Sequence, residues 1–198
     1  MKRLVLILGV LGVLAAAPSL AAKGDGWIGL QIGSSIPVGD LHDSIQPGPT
    51  GAVSWTFMES SHRGIEGAVA YHGWNASYRP SSRVSPFIGR GLATQLEGIQ
   101  FTGSGVYDVR SSGKVRPYAK AGCGVYWIEN ARLGSGGWYR GEWRPYFGYV
   151  MGTGTRIHFG PRSGVDLGAS YHWIFEDGPK HDDVLTVAVS LVQKVGGR

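Results

Sequence analysis

From Gly26 onward the chain alternates apolar and small residues: Ile28, Leu30 and Ile32 occupy every second position, with Gly29, Gln31 and Gly33 between them. A period of two places successive side chains on opposite faces of a strand, so this run predicts a strand with one apolar face. It stops at Pro37-Val38-Gly39-Asp40. The rule then repeats. Gly51, Val53, Trp55 and Phe57 oppose Ala52, Ser54 and Thr56, and Ile65, Val69 and Tyr71 oppose Glu66, Ala68, Ala70 and His72. Further on, Ile99, Phe101 and Tyr107 oppose Gln100, Thr102 and Ser104, and Ala119, Ala121, Cys123, Val125 and Trp127 oppose Lys120, Gly122, Gly124 and Tyr126. Phe147, Tyr149, Met151, Ile157 and Phe159 then oppose Gly148, Gly152, Gly154, Arg156 and His158. In the last two runs Val165, Leu167, Ala169, Tyr171, Trp173 and Phe175 oppose Asp166, Gly168, Ser170 and His172, and Leu185, Val187, Val189 and Leu191 oppose Thr186, Ala188 and Ser190.

Eight strands are therefore expected, and the segments joining them alternate in length. Short polar turns, such as Ser60-Ser61-His62-Arg63, Arg110-Ser111-Ser112-Gly113 and Gly160-Pro161-Arg162-Ser163-Gly164, take turns with longer stretches such as residues 74–93 and 130–141. Short periplasmic turns alternating with larger external loops characterise transmembrane barrels. A soluble β-sandwich has no reason to keep loop length in step with strand parity. The predicted fold is all-β: an eight-stranded antiparallel up-and-down transmembrane β-barrel.

Both a ligand-carrying soluble barrel and a membrane barrel alternate, so the composition of the two faces has to separate them. One face here is large and apolar. The other is Gly, Ala, Ser and Thr with scattered charges, too poor in Lys and Glu for a water-exposed surface but suited to a narrow interior. The total of 33 Gly, 7 Trp and 9 Tyr points the same way, because Gly is costly in helices and useful where a barrel wall bends or crowds. By parity Glu66, Lys120, Arg156 and Asp166 face the lumen, where buried charge is tolerated only if paired. An ion-pair network is expected there, with Gln100, His72, His158 and His172 around it. Charges dispersed near the wet ends are the alternative. Aromatic residues near the run ends, Trp27, Trp74, Tyr107, Trp127, Trp143, Phe159, Trp173 and Phe175, are expected to form interfacial girdles, since Trp and Tyr favour the headgroup region. Strand propensity alone also enriches aromatics.

The first residues form a secretory signal: Lys2 and Arg3, then an apolar run over residues 4–17, then small residues at Ser19, Ala21 and Ala22. The run is shorter than the roughly 20 residues of a membrane helix, and Pro18 follows it. Residues 1–22 are thus expected to be removed, leaving residues 23–198 as one barrel domain exported to the outer membrane of a Gram-negative bacterium. Of 19 basic and 14 acidic residues, loss of Lys2 and Arg3 leaves 17 basic, an excess too mild for a nucleic-acid partner. Cys123, the sole cysteine, offers no intrachain disulfide.

The segments Arg116-Pro117-Tyr118-Ala119-Lys120-Ala121-Gly122-Cys123-Gly124-Val125-Tyr126, residues 147–154 and Val165-Asp166-Leu167-Gly168-Ala169-Ser170-Tyr171-His172 resemble the later strands of the small outer-membrane β-barrel family of the OmpA/OmpX type. Gly33-Ser34-Ser35-Ile36-Pro37-Val38-Gly39-Asp40-Leu41 is similar to that family's first strand end and loop. The resemblance spans most of residues 23–198 and rests on glycines and aromatics at strand spacing. It implies an eight-stranded barrel in the outer membrane, inserted by the barrel-assembly machinery, and no single activity. Members usually end in an aromatic residue, whereas this chain ends Val195-Gly196-Gly197-Arg198.

Some barrels of this kind modify lipid A. The deacylase pattern has a Ser two residues after a His on one strand face; here Ile174 follows His172 at that spacing, so no nucleophile is supplied. The clusters His42-Asp43 and His181-Asp182-Asp183 are read as loop residues without the further ligands of a metal site. No catalysis, metal or cofactor is expected. The loop cations Arg79, Arg83, Arg90, Arg132, Arg140 and Lys180 are candidates for pairing with lipopolysaccharide phosphates. The expected function is a monomeric barrel with a structural or surface-interaction role, contacting outer-membrane lipid and lipopolysaccharide. The alternatives are a narrow nonspecific channel, a soluble periplasmic lipocalin-like carrier and a lipid A-modifying enzyme.

Overall fold

Strands rich in β-branched and aromatic residues at period two must pair to satisfy their backbone groups, and here they pair in a ring. The computed structural model describes residues 25–38, 45–76, 95–110, 112–130, 132–134, 137–139, 143–175 and 181–195. In chain order the strands are β1 (Asp25–Val38), β2 (Ile45–Gln46), β3 (Gly48–Met58), β4 (Arg63–Ala76), β5 (Gln95–Asp108), β6 (Val115–Asn130), β7 (Arg132–Gly134), β8 (Gly137–Tyr139), β9 (Trp143–His158), β10 (Ser163–Phe175) and β11 (His181–Val195). Eight of them are staves, each antiparallel to its neighbours in the order β1, β3, β4, β5, β6, β9, β10, β11, and β1 pairs with β11 to close the wall. Closure leaves no stave with an unpaired edge, which is what a sheet needs where no water can satisfy its N–H and C=O groups. The short strand β2 extends the sheet beside β4, and β7 with β8 forms a separate ribbon within the Gly-rich loop.

Three tight turns hold one end of the barrel. Glu59 and Ser60 N–H groups both donate to the Arg63 carbonyl, at 3.0 and 3.1 Å, and Phe159 N–H donates to Ser163 at 3.2 Å. Val109 N–H donates to the Pro117 carbonyl at 2.8 Å, and in that turn Gly113 adopts φ 102°, a left-handed conformation that a side chain would strain. Neighbouring strand ends also bond to the turns around the rim: His158 N–H of β9 donates to the Lys114 carbonyl, and Lys194 N–H of β11 to the Arg162 carbonyl, each at 2.7 Å. The ends of the paired segments β1 and β11 lie at this turn end as well, with Gly26 opposite Val195.

Side-chain parity follows the alternation in the sequence. Leu30, Ile32, Ile65, Phe147, Met151, Leu167, Val187, Val189 and Leu191 are exposed on the outer wall, Ile32 at 71 %. Thr50, Thr56, His72, Gln100, Ser104, Arg156, Asp166, His172, Thr186 and Ser190 are buried inside. A lipocalin-like carrier has the opposite arrangement, an apolar lining under a wet exterior, so that alternative does not hold for this barrel. His181-Asp182-Asp183 also departs from the sequence reading. These residues are not a loop but the start of β11, paired with Phe175, Ile174 and Trp173, because β11 extends four residues before the apolar alternation begins at Leu185.

Cys123 stands exposed on the outer wall among Gly103, Ala121 and Tyr149. Maleimides add to a thiolate, which hydrocarbon does not support, so in lipid vesicles a charged maleimide should leave Cys123 unlabelled and should label it once detergent and heat unfold the barrel. Equal labelling before and after unfolding would contradict a lipid-facing wall.

Candidate functional site in the barrel lumen

Inward-facing glycines make room for the lumen side chains. A Cβ on Gly154 would lie 2.6 Å from the Tyr118 hydroxyl oxygen and one on Gly168 2.9 Å from it, so the Tyr118 side chain lies along the inner wall over bare backbone of β9 and β10. From there its hydroxyl donates to Asp166 Oδ1 at 2.8 Å. Arg156, 3 % exposed, lies between two carboxylates: its Nε is 3.5 Å from Asp166 Oδ2 and its Nη1 is 3.7 Å from Asp108 Oδ2. Its guanidinium carbon sits 5.3 Å from the centre of the Tyr118 ring, within cation–π range.

A second ion pair lies further along the axis. Lys120 Nζ is 2.7 Å from Glu66 Oε1, and Thr56 donates its hydroxyl to Glu66 Oε2 at 3.2 Å. Next comes a histidine layer. His72 Nε2 lies 2.9 Å from Gln100 Oε1 and its Nδ1 3.0 Å from the Thr50 hydroxyl; the Nε2–H tautomer donates to Gln100, and the single Thr50 hydroxyl proton is shared between His72 Nδ1 and the Tyr71 carbonyl, also at 3.0 Å. His172 meets His72 edge-on, with ring centroids 6.4 Å apart, and its Nδ1 lies 2.9 Å from the Tyr126 hydroxyl.

Apolar plugs bracket these polar layers. Trp27, Met58 and Val192 cluster at the turn end, and Ile45, Trp74, Tyr126, Ile174 and Val184 cluster at the loop end. Small voids are left between layers. One of about 20 Å³ lies among Glu66, Tyr118, Lys120, Arg156 and Asp166, and one of about 30 Å³ lies among His72, Gln100, Lys120, His172 and Thr186. Each has room for about one or two waters.

Of the sequence-predicted lumen set, Glu66, Lys120, Arg156 and Asp166 enter ion pairs, while His72 and Gln100 share a hydrogen bond. His158 is not part of that constellation: it is half-buried at the turn end, its ring 5.0 Å from that of Trp27. Three polar residues of the site were not foreseen from the sequence: Asp108, Tyr118 and Thr50. Asp108 shares the parity of Gln100, Thr102 and Ser104, so the signal existed, but the apolar alternation that marks the run stops at Tyr107, one residue before it.

The closed ring of eight antiparallel staves has counterparts among solved structures. Neisserial surface protein A matches with a TM-score of 0.63 and 16% identity, over 86% of this chain and 97% of that one. Ail, the attachment invasion locus protein of Yersinia pestis, matches at 0.51 with 13% identity over 86% of this chain and 99% of its own. The outer membrane protein OprG of Pseudomonas aeruginosa matches at 0.54 with 10% identity, over 89% and 99% of the two chains. The fold is that of a small outer-membrane β-barrel. No protein-family model and no curated protein matches the sequence.

In an outer-membrane barrel the placement of the aromatic residues matters, and the structure corrects two of them. Trp27 and Trp74 are 6 % and 7 % exposed and turn inward, Trp27 into the turn-end plug and Trp74 stacked on His72 at 5.2 Å. Parity is the physical reason. Trp27 alternates with Ile28 and Leu30, and Trp74 lies two residues from His72, so both had to face the lumen. The other six hold outward positions in two bands. Tyr107 and Phe159 lie at the turn end, and Trp127, Trp143, Trp173 and Phe175 at the loop end. Trp55, half-buried on the outward face that the alternation gives it, lies with its ring 3.7 Å from where a Cβ on Gly67 would stand.

Among the loop cations, Arg79, Arg83, Arg90, Arg140 and Lys180 lie outside the described residues, as do residues 1–22 and His42-Asp43. Arg132 lies in the short strand β7, opposite Tyr139.

Proposed function

We propose that this protein resides in the outer membrane of a Gram-negative bacterium, exported by its N-terminal signal, as a non-catalytic barrel with a structural or surface-interaction role. One observation carries the reading: the outer wall is apolar while, among the described residues, ion pairs and two apolar clusters fill the lumen around voids of about 20 and 30 Å³. Eight staves leave an interior that side chains fill, and a filled interior serves as a rigid support for external loops. The outward aromatic bands fit the two headgroup levels, where an amphipathic ring is stabilised. The lipid A deacylase alternative finds little support, because His172 points into the lumen and bonds Tyr126 there, away from any acyl chain outside the wall.

The test is electrophoretic and electrical. Protein refolded into vesicles should float with the lipid, run faster unheated than boiled on a denaturing gel, and give no stable conductance steps in planar bilayers. Well-defined unitary steps would replace this reading with the narrow channel. Recovery in the soluble extract would overturn residence in the membrane.

A further inference from the structure

The turn end of the barrel is ringed with positive charge. The exposed ionisable side chains described there are Arg63, Arg110, Lys114 and Arg162, opposed by a single exposed carboxylate, Glu59. Asp108 does not offset them outside, since it points into the lumen toward Arg156. Nor is any of the four cations in an ion pair with a described residue.

The placement of the four cations narrows what they meet. Arg63 lies at the β3–β4 corner, Arg110 and Lys114 at the β5–β6 corner, and Arg162 at the β9–β10 corner. They are therefore spread around the circumference, where a protein docking from one side would reach only part of the set. They also lie at the lower edge of the apolar wall. Arg63 stands opposite exposed Tyr107 in the β4–β5 register. Arg110 follows exposed Val109, Lys114 precedes exposed Val115, and Arg162 lies three residues from exposed Phe159. That is the depth at which lipid phosphates surround a barrel.

We propose that this rim is an annular binding surface for anionic phospholipid headgroups of the periplasmic leaflet, of the phosphatidylglycerol type. The proposal rests on the outer-membrane reading, with the tight turns on the periplasmic side. The phosphates meet the guanidinium and ammonium groups laterally, while Tyr107 and Phe159 pack on the upper acyl chains. Basic side chains close to an anionic surface are each attracted strongly enough for the effect to accumulate over four residues.

The full-length mature chain would be placed in phosphatidylcholine bilayers containing a minor fraction of phosphatidylglycerol, and the enrichment of each lipid at the barrel measured with spin-labelled analogues. Wild type should favour phosphatidylglycerol at least about tenfold at low salt. The preference should collapse toward unity in roughly 1 M salt, where the screening length is about 3 Å. The variant R63Q/R110Q/K114Q/R162Q should lose it at low salt, while R63K/R110K/R162K retains it. Equal enrichment of the two lipids by wild type, or a preference unchanged in the glutamine variant, would overturn the proposal. So would binding to isolated peptidoglycan without lipid preference. Heat-dependent gel migration of the same samples separates the two ideas: a barrel that inserts without lipid preference sinks only this inference, and one that fails to insert sinks the reading beneath it as well.

Discussion

Replacing Arg156 with Met should destabilise the barrel by about 3–5 kcal/mol, measured as a lowered urea midpoint for loss of the fast-migrating folded form. The expectation follows from burial. The Arg156 side chain is 4 % exposed between Asp108 and Asp166, so its removal strands two carboxylates where water hardly reaches. Asp166 keeps the Tyr118 hydroxyl, but one hydrogen bond does not replace a full counter-charge. The loss should be largely recovered in the triple variant R156M/D108N/D166N, because a buried ion network replaced whole by groups of similar size is often neutral. A single-variant loss below roughly 1 kcal/mol, the scale of an exposed pair, would mean that the network is wet and contributes little.

A second large effect is expected from a side chain added on the wrong face. At Gly154 a Cβ would meet the Leu167 carbonyl oxygen and the Tyr118 hydroxyl, each at 2.6 Å, and one of these is backbone that cannot move aside. Gly154→Ala should cost about 1–3 kcal/mol by over-packing, and Gly154→Val should largely prevent the folded form, since its branched methyls also displace Tyr118 from Asp166. Gly103 is the control. It lies on the outer wall opposite Cys123, with nothing within 4 Å of its Cβ position, so Gly103→Val should fold like wild type in lipid. Equal behaviour of the two variants in gel-shift and urea titrations would show that inside and outside have been assigned to the wrong faces.

Period-two alternation and the rhythm of tight and long connections were enough to specify the eight staves, though not the short strands β2, β7 and β8, and the side on which Leu30, Ile32, Glu66, Lys120, Arg156 and Asp166 lie. Those are local properties: parity along a strand is set by its own backbone, and a tight turn by its own few residues. The errors at Trp27 and Trp74 came from weighing residue type over parity, although parity was available at both positions. The partners of each lumen charge were a different matter. Arg156 meets Asp166 as its register partner in the β9–β10 hairpin, but it meets Asp108 only because β5 and β9 flank β6 in a curved wall whose stagger sets how far each side chain reaches.

By itself, then, the sequence determined an eight-stave wall with a greasy outside and a small, charged inside, since each run must solvate its two faces differently. Only the tertiary structure decided which inward groups touch, that the lumen is plugged at both ends, and that Arg63, Arg110, Lys114 and Arg162 form one ring. Such groupings depend on register between strands, which no single strand encodes, and on ring closure, which brings distant turns to a common rim.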